Sequence, residues 1–164
     1  MKLHLVTIAL ATLVISACAS TPPTTAEQTP PLEAAPMANV TAPIDLSAQL
    51  QDMRKTSVFF DFDKSAIKPE YREVIQQQAD FVKANSTVTV TLEGNADERG
   101  SNEYNLALGD RRANSVLKSL EVMGVPSGQI KTVSYGKEKP RLSCHEEKCW
   151  KENRRVDFMG KQGS

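Results

Sequence analysis

Residues 88–124 read VTVTLEGNADERGSNEYNLALGDRRANSVLKSLEVMG, two periodicities joined by a polar hinge. Val88, Val90 and Leu92 alternate with threonines as far as Gly94, which is the period-two pattern of a half-buried strand. Ser101 has the side chain of a helix N-cap. After it Ala113, Val116, Leu117 and Leu120 recur at helical spacing through Met123. Gly124 stops that helix, and Pro126 lies just beyond. A strand running directly into an amphipathic helix is the α/β signal.

The flanks extend the pattern. Thr56–Phe62 (TSVFFDF) is β-rich and aromatic and reads as a strand. Pro69 suits the first turn of a helix running to about Asn85, with Tyr71, Val74, Ile75, Ala79 and Val82 on one face. Downstream, Ile130–Tyr135 reads as a third strand. Arg154–Phe158 reads as a fourth, with Val156 and Phe158 pointing inward. The order β-α-β-α-β-β predicts an α/β sandwich: a small mixed sheet with helices packed on one face. The domain occupies residues 46–160, and residues 161–164 form a tail. No internal repeat is present.

Composition narrows the function classes. The chain has 164 residues, 40% of them hydrophobic, enough for one modest core. Twenty Lys+Arg balance twenty Asp+Glu, which argues against a nucleic-acid partner, since such binders carry a basic excess. Of the two histidines, His4 lies in an apparent targeting segment, leaving His145. One histidine excludes a multi-His metal centre within the chain and makes a His-based triad a poor fit. The expectation is a binding protein without cofactor or metal, and not an enzyme.

The N-terminus reads as an address. Lys2 precedes a mostly apolar run from Leu5 to Ala17. It is too short to span a bilayer, which needs about 20 residues, but fits a signal-peptide core. Ile15-Ser16-Ala17-Cys18 resembles the lipobox of bacterial lipoproteins. That resemblance implies a signal peptide over residues 1–17 and cleavage before Cys18. Diacylglycerol on the Cys18 thiol and an acyl chain such as palmitate on the new amino group would follow. Ordinary cleavage after Ala19 also fits the small-x-small rule. Two or more chains anchor stably where one holds marginally, and Ala19 after the cysteine resembles an outer-membrane address. Residues 18–45 then hold six of the nine prolines, and no Lys or Arg occurs between Lys2 and Arg54. That composition predicts a solvated flexible linker.

Cys144 and Cys149 remain, in CHEEKC. In an exported chain meeting an oxidising compartment, a local disulfide is the favoured reading. A zinc site using His145 and a carboxylate is an alternative with weaker spacing support.

The polar hinge is the candidate site. Asn95, Asp97, Glu98, Arg99, Gly100, Ser101 and Asn102 follow the C-terminal end of a strand, a frequent location for binding residues. Gly94 and Gly100 permit tight turning and close backbone approach. Asp61-Phe62-Asp63-Lys64 leaves the first strand in the same sense, so neighbouring strands would bring Asp63 and Asp97 to one rim. An arginine fork matches a carboxylate, and Asp accepts from an ammonium. Asp97 with Arg111-Arg112 therefore suits a zwitterion. Capping and solvated salt bridges would use the same residue types. Arg112 lies about 10–15 Å along its helix at 1.5 Å per residue, so the loop must fold back for Asp97 to approach it.

The strings VFFDFDKSAIKPEYR, VTLEGNADERGSNEYNLALGDRRANSV, TVSYGKEKP and NRRVDF, in order between Val58 and Phe158, resemble the OmpA-like peptidoglycan-binding domain. They look closest to the peptidoglycan-associated lipoprotein (Pal) branch of the Tol–Pal system. The resemblance implies a lipid-anchored outer-membrane protein with its domain facing the periplasm. Such a protein would bind peptidoglycan, hold the membrane to the wall, engage Tol proteins such as TolB, and serve envelope integrity during cell division. Its ligand would be the meso-diaminopimelate of the stem peptide. By position, Asp97 resembles the residue for its ammonium and Arg112 the one for its carboxylate. Phe62 and Asp63 resemble the first-strand contacts, and Asn95, Ala96, Asn105 and Leu108 line the pocket. Ala96 stands where the family usually has Thr, removing a hydroxyl worth about 0.5–1.5 kcal/mol. An OmpA-like docking module of a secretion or motility assembly is the alternative. A wall hydrolase would have only Glu98 and Glu103 as spare carboxylates.

Overall fold

The computed structural model describes residues 45–163. The signal peptide (1–17), Cys18 and the linker (18–45) lie outside the described residues, Asp45 excepted. Four helices and four strands follow in chain order, with short 3-10 turns at Pro69–Tyr71 and Ser127–Gln129. Helix α1 is Leu46–Lys55, β1 Ser57–Phe59, α2 Arg72–Ala84 and β2 Val88–Asn95. Helix α3 is Asn102–Val122, β3 Ile130–Gly136, α4 Glu147–Asn153 and β4 Arg155–Gln162.

The sheet order is β1-β4-β2-β3; β2 and β3 are parallel, and β4 is antiparallel to both β1 and β2. Its register aligns Val90 with Gly160, Leu92 with Phe158 and Gly94 with Val156, putting Val88, Val90, Leu92, Val156 and Phe158 on one face. All five are buried with Ile75, Ala79 and Val82 of α2 and Ala113, Val116 and Leu120 of α3. Helix α1 joins that face: a Cβ on Gly160 would meet Met53 Sδ at 2.5 Å and Leu50 Cδ2 at 2.9 Å. The expected single helical layer is present, and Lys161 and Gln162 of the expected tail belong instead to the sheet, as the end of β4. Lys161 and Gln162 pair with Thr89 and Val88, and the Gly163 N–H donates to Thr87 O at 2.7 Å.

Two elements were not expected. Leu46, Leu50 and Met53 sit at helical spacing and drive α1, with Asp45 Oδ1 capping the Ser47 N–H at 2.9 Å. Helix α4 has no apolar stripe and is held by polar contacts instead. β1 is shorter than the expected Thr56–Phe62 strand. The Phe60 N–H still bonds Arg154 O at 2.9 Å, but the Asp61 carbonyl accepts from Arg112 rather than from a strand.

The outer face of the sheet is charged. Glu93 and Asp157 sit opposite one another across β2 and β4. Lys139 bonds Glu93 at 2.5 Å, while Arg141 and Arg155 each reach Asp157 at 2.8 Å. Burial lowers the Arg155 pKa against the opposing pull of Asp157.

Candidate binding site

Strand β2 delivers its C-terminal end to the site through one helix–strand contact. A Cβ on Gly94 would stand 2.0 Å from Gly109 O, and one on Gly109 2.3 Å from Ser134 Oγ. Only glycine lets α3 lie this close to β2. The close approach at Gly94 is thus to a helix backbone rather than to a ligand. It sets Arg112 level with the end of the strand, while the first two turns of α3 rise alongside the 96–101 loop. Ser101 Oγ caps the helix, accepting the Tyr104 N–H at 3.2 Å. Gly100 turns the loop at φ +94°, and Asn105 Nδ2 ties its base by donating to Arg99 O at 2.8 Å.

Asp97 is 4% exposed, and both its oxygens are engaged. Oδ1 accepts the Arg99 backbone N–H and Nε, each at 3.1 Å. Oδ2 accepts Arg99 Nη2 at 2.7 Å and Arg154 Nη1 at 3.3 Å. Burial pushes the Asp97 carboxyl up, but the Arg99 hydrogen bonds and charge, helped by Arg154, outweigh it and leave the group below its ordinary value.

Arg112 is fully buried and bonds backbone carbonyls only. Nε donates to Lys64 O at 2.8 Å, Nη1 to Asn95 O at 2.8 Å and Nη2 to Asp61 O at 3.1 Å. One guanidinium thus gathers the exits of β1 and β2, which is why Phe62, Asp63 and Asp97 share a rim. Burial, with the nearby charge of Arg154, lowers its pKa to about 10, although Asp97 and Asp63 pull the other way. Among the described residues Arg112 forms no salt bridge with a carboxylate. A guanidinium carries five N–H groups, so two on the Nη atoms remain beyond these three bonds.

Above this floor is a cavity of about 240 Å³ lined by Phe62, Asp63, Asp97, Arg99, Gly100, Tyr104, Asn105 and Leu108. Of the residues assigned from sequence, Phe62, Asp63, Asp97, Asn105 and Leu108 therefore line it. Asn95, Ala96 and Arg112 are not among its lining residues, and all three are buried. The Ala96 N–H donates to Gly136 O at 2.7 Å. Asn95 Nδ2 donates to Glu93 O at 3.0 Å, and its buried Oδ1 has no partner among the described residues. Asp63 adopts φ 55°, uncommon for a non-glycine residue, and accepts from the Tyr104 hydroxyl across the rim.

Sequence reasoning placed Arg99 in the polar hinge without a specific role and gave Tyr104, Trp150 and Arg154 none. The Arg99 guanidinium is sandwiched between the Phe62 ring at 4.0 Å and the Trp150 ring at 4.1 Å. Trp150 lies on α4, beside the Cys144–Cys149 disulfide, whose Cα atoms are 5.7 Å apart. Its Nε1 donates to Glu98 at 2.7 Å, and His145 Nδ1 reaches the same carboxylate at 2.7 Å. The His145 bond, then the Trp150 bond, holds the Glu98 carboxyl low. Helix α4 thus buttresses the 97–99 loop. No spacing rule links Trp150 to Arg99. Arg112, by contrast, was findable: Asn105, Leu108, Gly109, Arg112, Ala113 and Val116 form one buried stripe.

Residues 59–154 match the OmpA family. A peptidoglycan-associated lipoprotein of Pasteurella multocida is 46% identical over 110 residues, 67% of this chain and 73% of that one. Its counterpart in Agrobacterium fabrum is 45% identical over 107 residues, 65% of this chain and 60% of the relative's own length. The crystal structure of the peptidoglycan-associated lipoprotein from Burkholderia pseudomallei is 43% identical and superposes with a TM-score of 0.63, covering 64% of this chain and 89% of that one. The C-terminal domain of Helicobacter pylori MotB has a TM-score of 0.62 at 22% identity, covering 66% and 86% respectively, a likeness of fold alone.

Proposed function

Because the chain belongs to the OmpA family, we propose that it is a lipoprotein of the outer membrane whose domain, residues 46–160, binds peptidoglycan non-covalently. Its ligand is the free zwitterionic end of diaminopimelate in the stem peptide, with the ammonium on Asp97 and the carboxylate on Arg112. Anchored through lipid on Cys18, the chain ties membrane to wall. Tol-system proteins such as TolB are its partners, and co-purification of TolB with the full chain tests that part. Binding rather than catalysis is the activity: Glu98, one of the two spare carboxylates of the hinge, is committed to His145 and Trp150.

The observation that carries the reading is the charge arrangement at the end of β2. A buried Arg112 has two N–H groups to spare and no carboxylate salt bridge, beside a buried Asp97 that is ionised and accepts from two arginines. A buried cation of this kind is completed by an anion presented on a planar fork. A zwitterion supplies both partners at once. Phe62 and Leu108 give the cavity apolar walls for the methylene chain between them.

The test is sedimentation of the full chain, in detergent, with purified sacculi. Asp97→Asn is expected to abolish pelleting while leaving the circular dichroism spectrum unchanged. Arg112→Ala would strip three carbonyls of their donor, so Arg112→Lys is the better probe. It keeps the charge but not the fork, and is expected to weaken pelleting at least about tenfold, a loss of about 1.4 kcal/mol. Pelleting equal to wild type in a folded Asp97→Asn variant would sink the assignment.

A further inference from the structure

An ionised carboxylate offers about four acceptor positions, and Asp97 has four donors on it: the Arg99 backbone N–H, Nε and Nη2, and Arg154 Nη1. It is saturated by its own chain. An incoming ammonium must therefore displace a donor, and the two arginines differ in how they are held. Arg154 is 6% exposed and pinned elsewhere, with Nε on Phe60 O at 3.1 Å and Nη2 on Glu147 at 2.5 Å. Arg99 has a side chain 33% exposed. Apart from Asp97, its guanidinium is held by the two stacked rings and by a 3.8 Å approach to Glu147. Asn105 fixes the Arg99 carbonyl, so the side chain is free to move without the loop. Glu147 is exposed, and its Oε2, 3.8 Å from Arg99 Nη2, offers that guanidinium a second carboxylate.

We propose that Arg99 is an internal competitor for Asp97, a tethered cation standing where the ligand ammonium goes, and that Trp150 on the disulfide-bearing α4 sets how firmly it is held there. The inference rests on the reading that Asp97 takes the ammonium. It makes Arg99 a selectivity element. A ligand bringing only a cation exchanges one ion pair for another and gains little. A zwitterion also places a carboxylate on Arg112 and so pulls the exchange forward. Stacking on two aromatic faces strengthens the closed arrangement. If Arg99 covers Asp97 about nine tenths of the time, the apparent Kd is raised about tenfold above that of the open site.

The experiment titrates the full chain, in detergent, with a soluble muropeptide carrying meso-diaminopimelate, by calorimetry. Arg99→Gln is expected to lower Kd about tenfold and to speed association. Trp150→Ala leaves every side chain on Asp97 intact and is expected to shift Kd in the same direction, even though it lowers the melting temperature. A purely structural role for Trp150 would lower stability without tightening binding. Kd unchanged or raised in either folded variant overturns the proposal. If Arg99→Gln does not fold, Trp150→Ala decides alone. Asp97→Asn separates the two levels: loss of binding there, with no tightening in the other variants, leaves the Asp97 assignment standing and removes only the competitor. Wild-type binding in Asp97→Asn removes both.

Discussion

Asp97 accepts four hydrogen bonds, both of those on Oδ1 from the loop residue Arg99 and those on Oδ2 from Arg99 and from Arg154, which caps α4. Its carboxyl is held below the ordinary value in the folded chain, against about 3.9 in an unfolded one. A depressed folded value adds stability that is complete above the unfolded pKa and is lost as pH falls through the folded one. Urea unfolding of the wild type is therefore expected to weaken below about pH 4, with a slope of up to about 1.4 kcal/mol per pH unit for one proton. Asp97→Asn should flatten that acid limb, and an unchanged slope would refute the coupling. Wall binding should fade over the same range, because a protonated carboxyl no longer pairs with an ammonium. Asp97 was visible in the sequence as a polar residue after a strand. Its pairing with Arg154 was not, because that arginine arrives from the junction of α4 and β4, 57 residues further along the chain.

At the level of elements, α3 and β2 meet backbone to backbone at Gly94 and Gly109. The amphipathic stripe of α3, its Ser101 cap and its stop at Gly124, with φ +88°, were all legible, because each is encoded within a few residues. Helix α1 was also encoded, by Leu46, Leu50 and Met53, but the Pro-rich run before it hides the start. Helix α4 was not legible: EKCWKEN has no stripe, and its place depends on Glu98, Asp97 and Arg99 in another part of the chain. Gly94→Ala tests whether the backbone contact positions the site. Its Cβ would stand 2.0 Å from a main-chain oxygen, which has no rotamer to escape into. We expect a loss of at least about 3 kcal/mol, the top of the usual overpacking range, measured by urea denaturation. Gly128→Ala, with nothing within 4 Å, is the control and should lie within about 0.5 kcal/mol of wild type. A Gly94→Ala variant equal to that control would mean that α3 shifts freely on the sheet.

Over the whole molecule, the proposed function needs two separate grips on one chain: lipid on Cys18 and a zwitterion clamp near residues 97 and 112. Among the described residues no helix is long and apolar enough to cross a membrane. In the proposed reading, attachment is through acyl chains on Cys18. Two or more acyl chains hold stably, at about 0.8 kcal/mol per buried methylene. The wall site is a single noncovalent pocket, and because both grips belong to one chain the second binding event is intramolecular. Removing one grip should therefore leave the other measurable by itself. Cys18→Ser is expected to move the chain into the soluble fraction of lysed envelopes while purified protein still pellets with sacculi. Asp97→Asn is expected to stay with detergent-extractable membrane and to lose the sacculi. If Cys18→Ser remains membrane-bound, the lipobox reading fails and the leader would have to be retained or cut elsewhere. If Asp97→Asn instead leaves the membrane, the pocket and not the lipid is what holds this chain in the envelope, and the two-grip arrangement collapses to one.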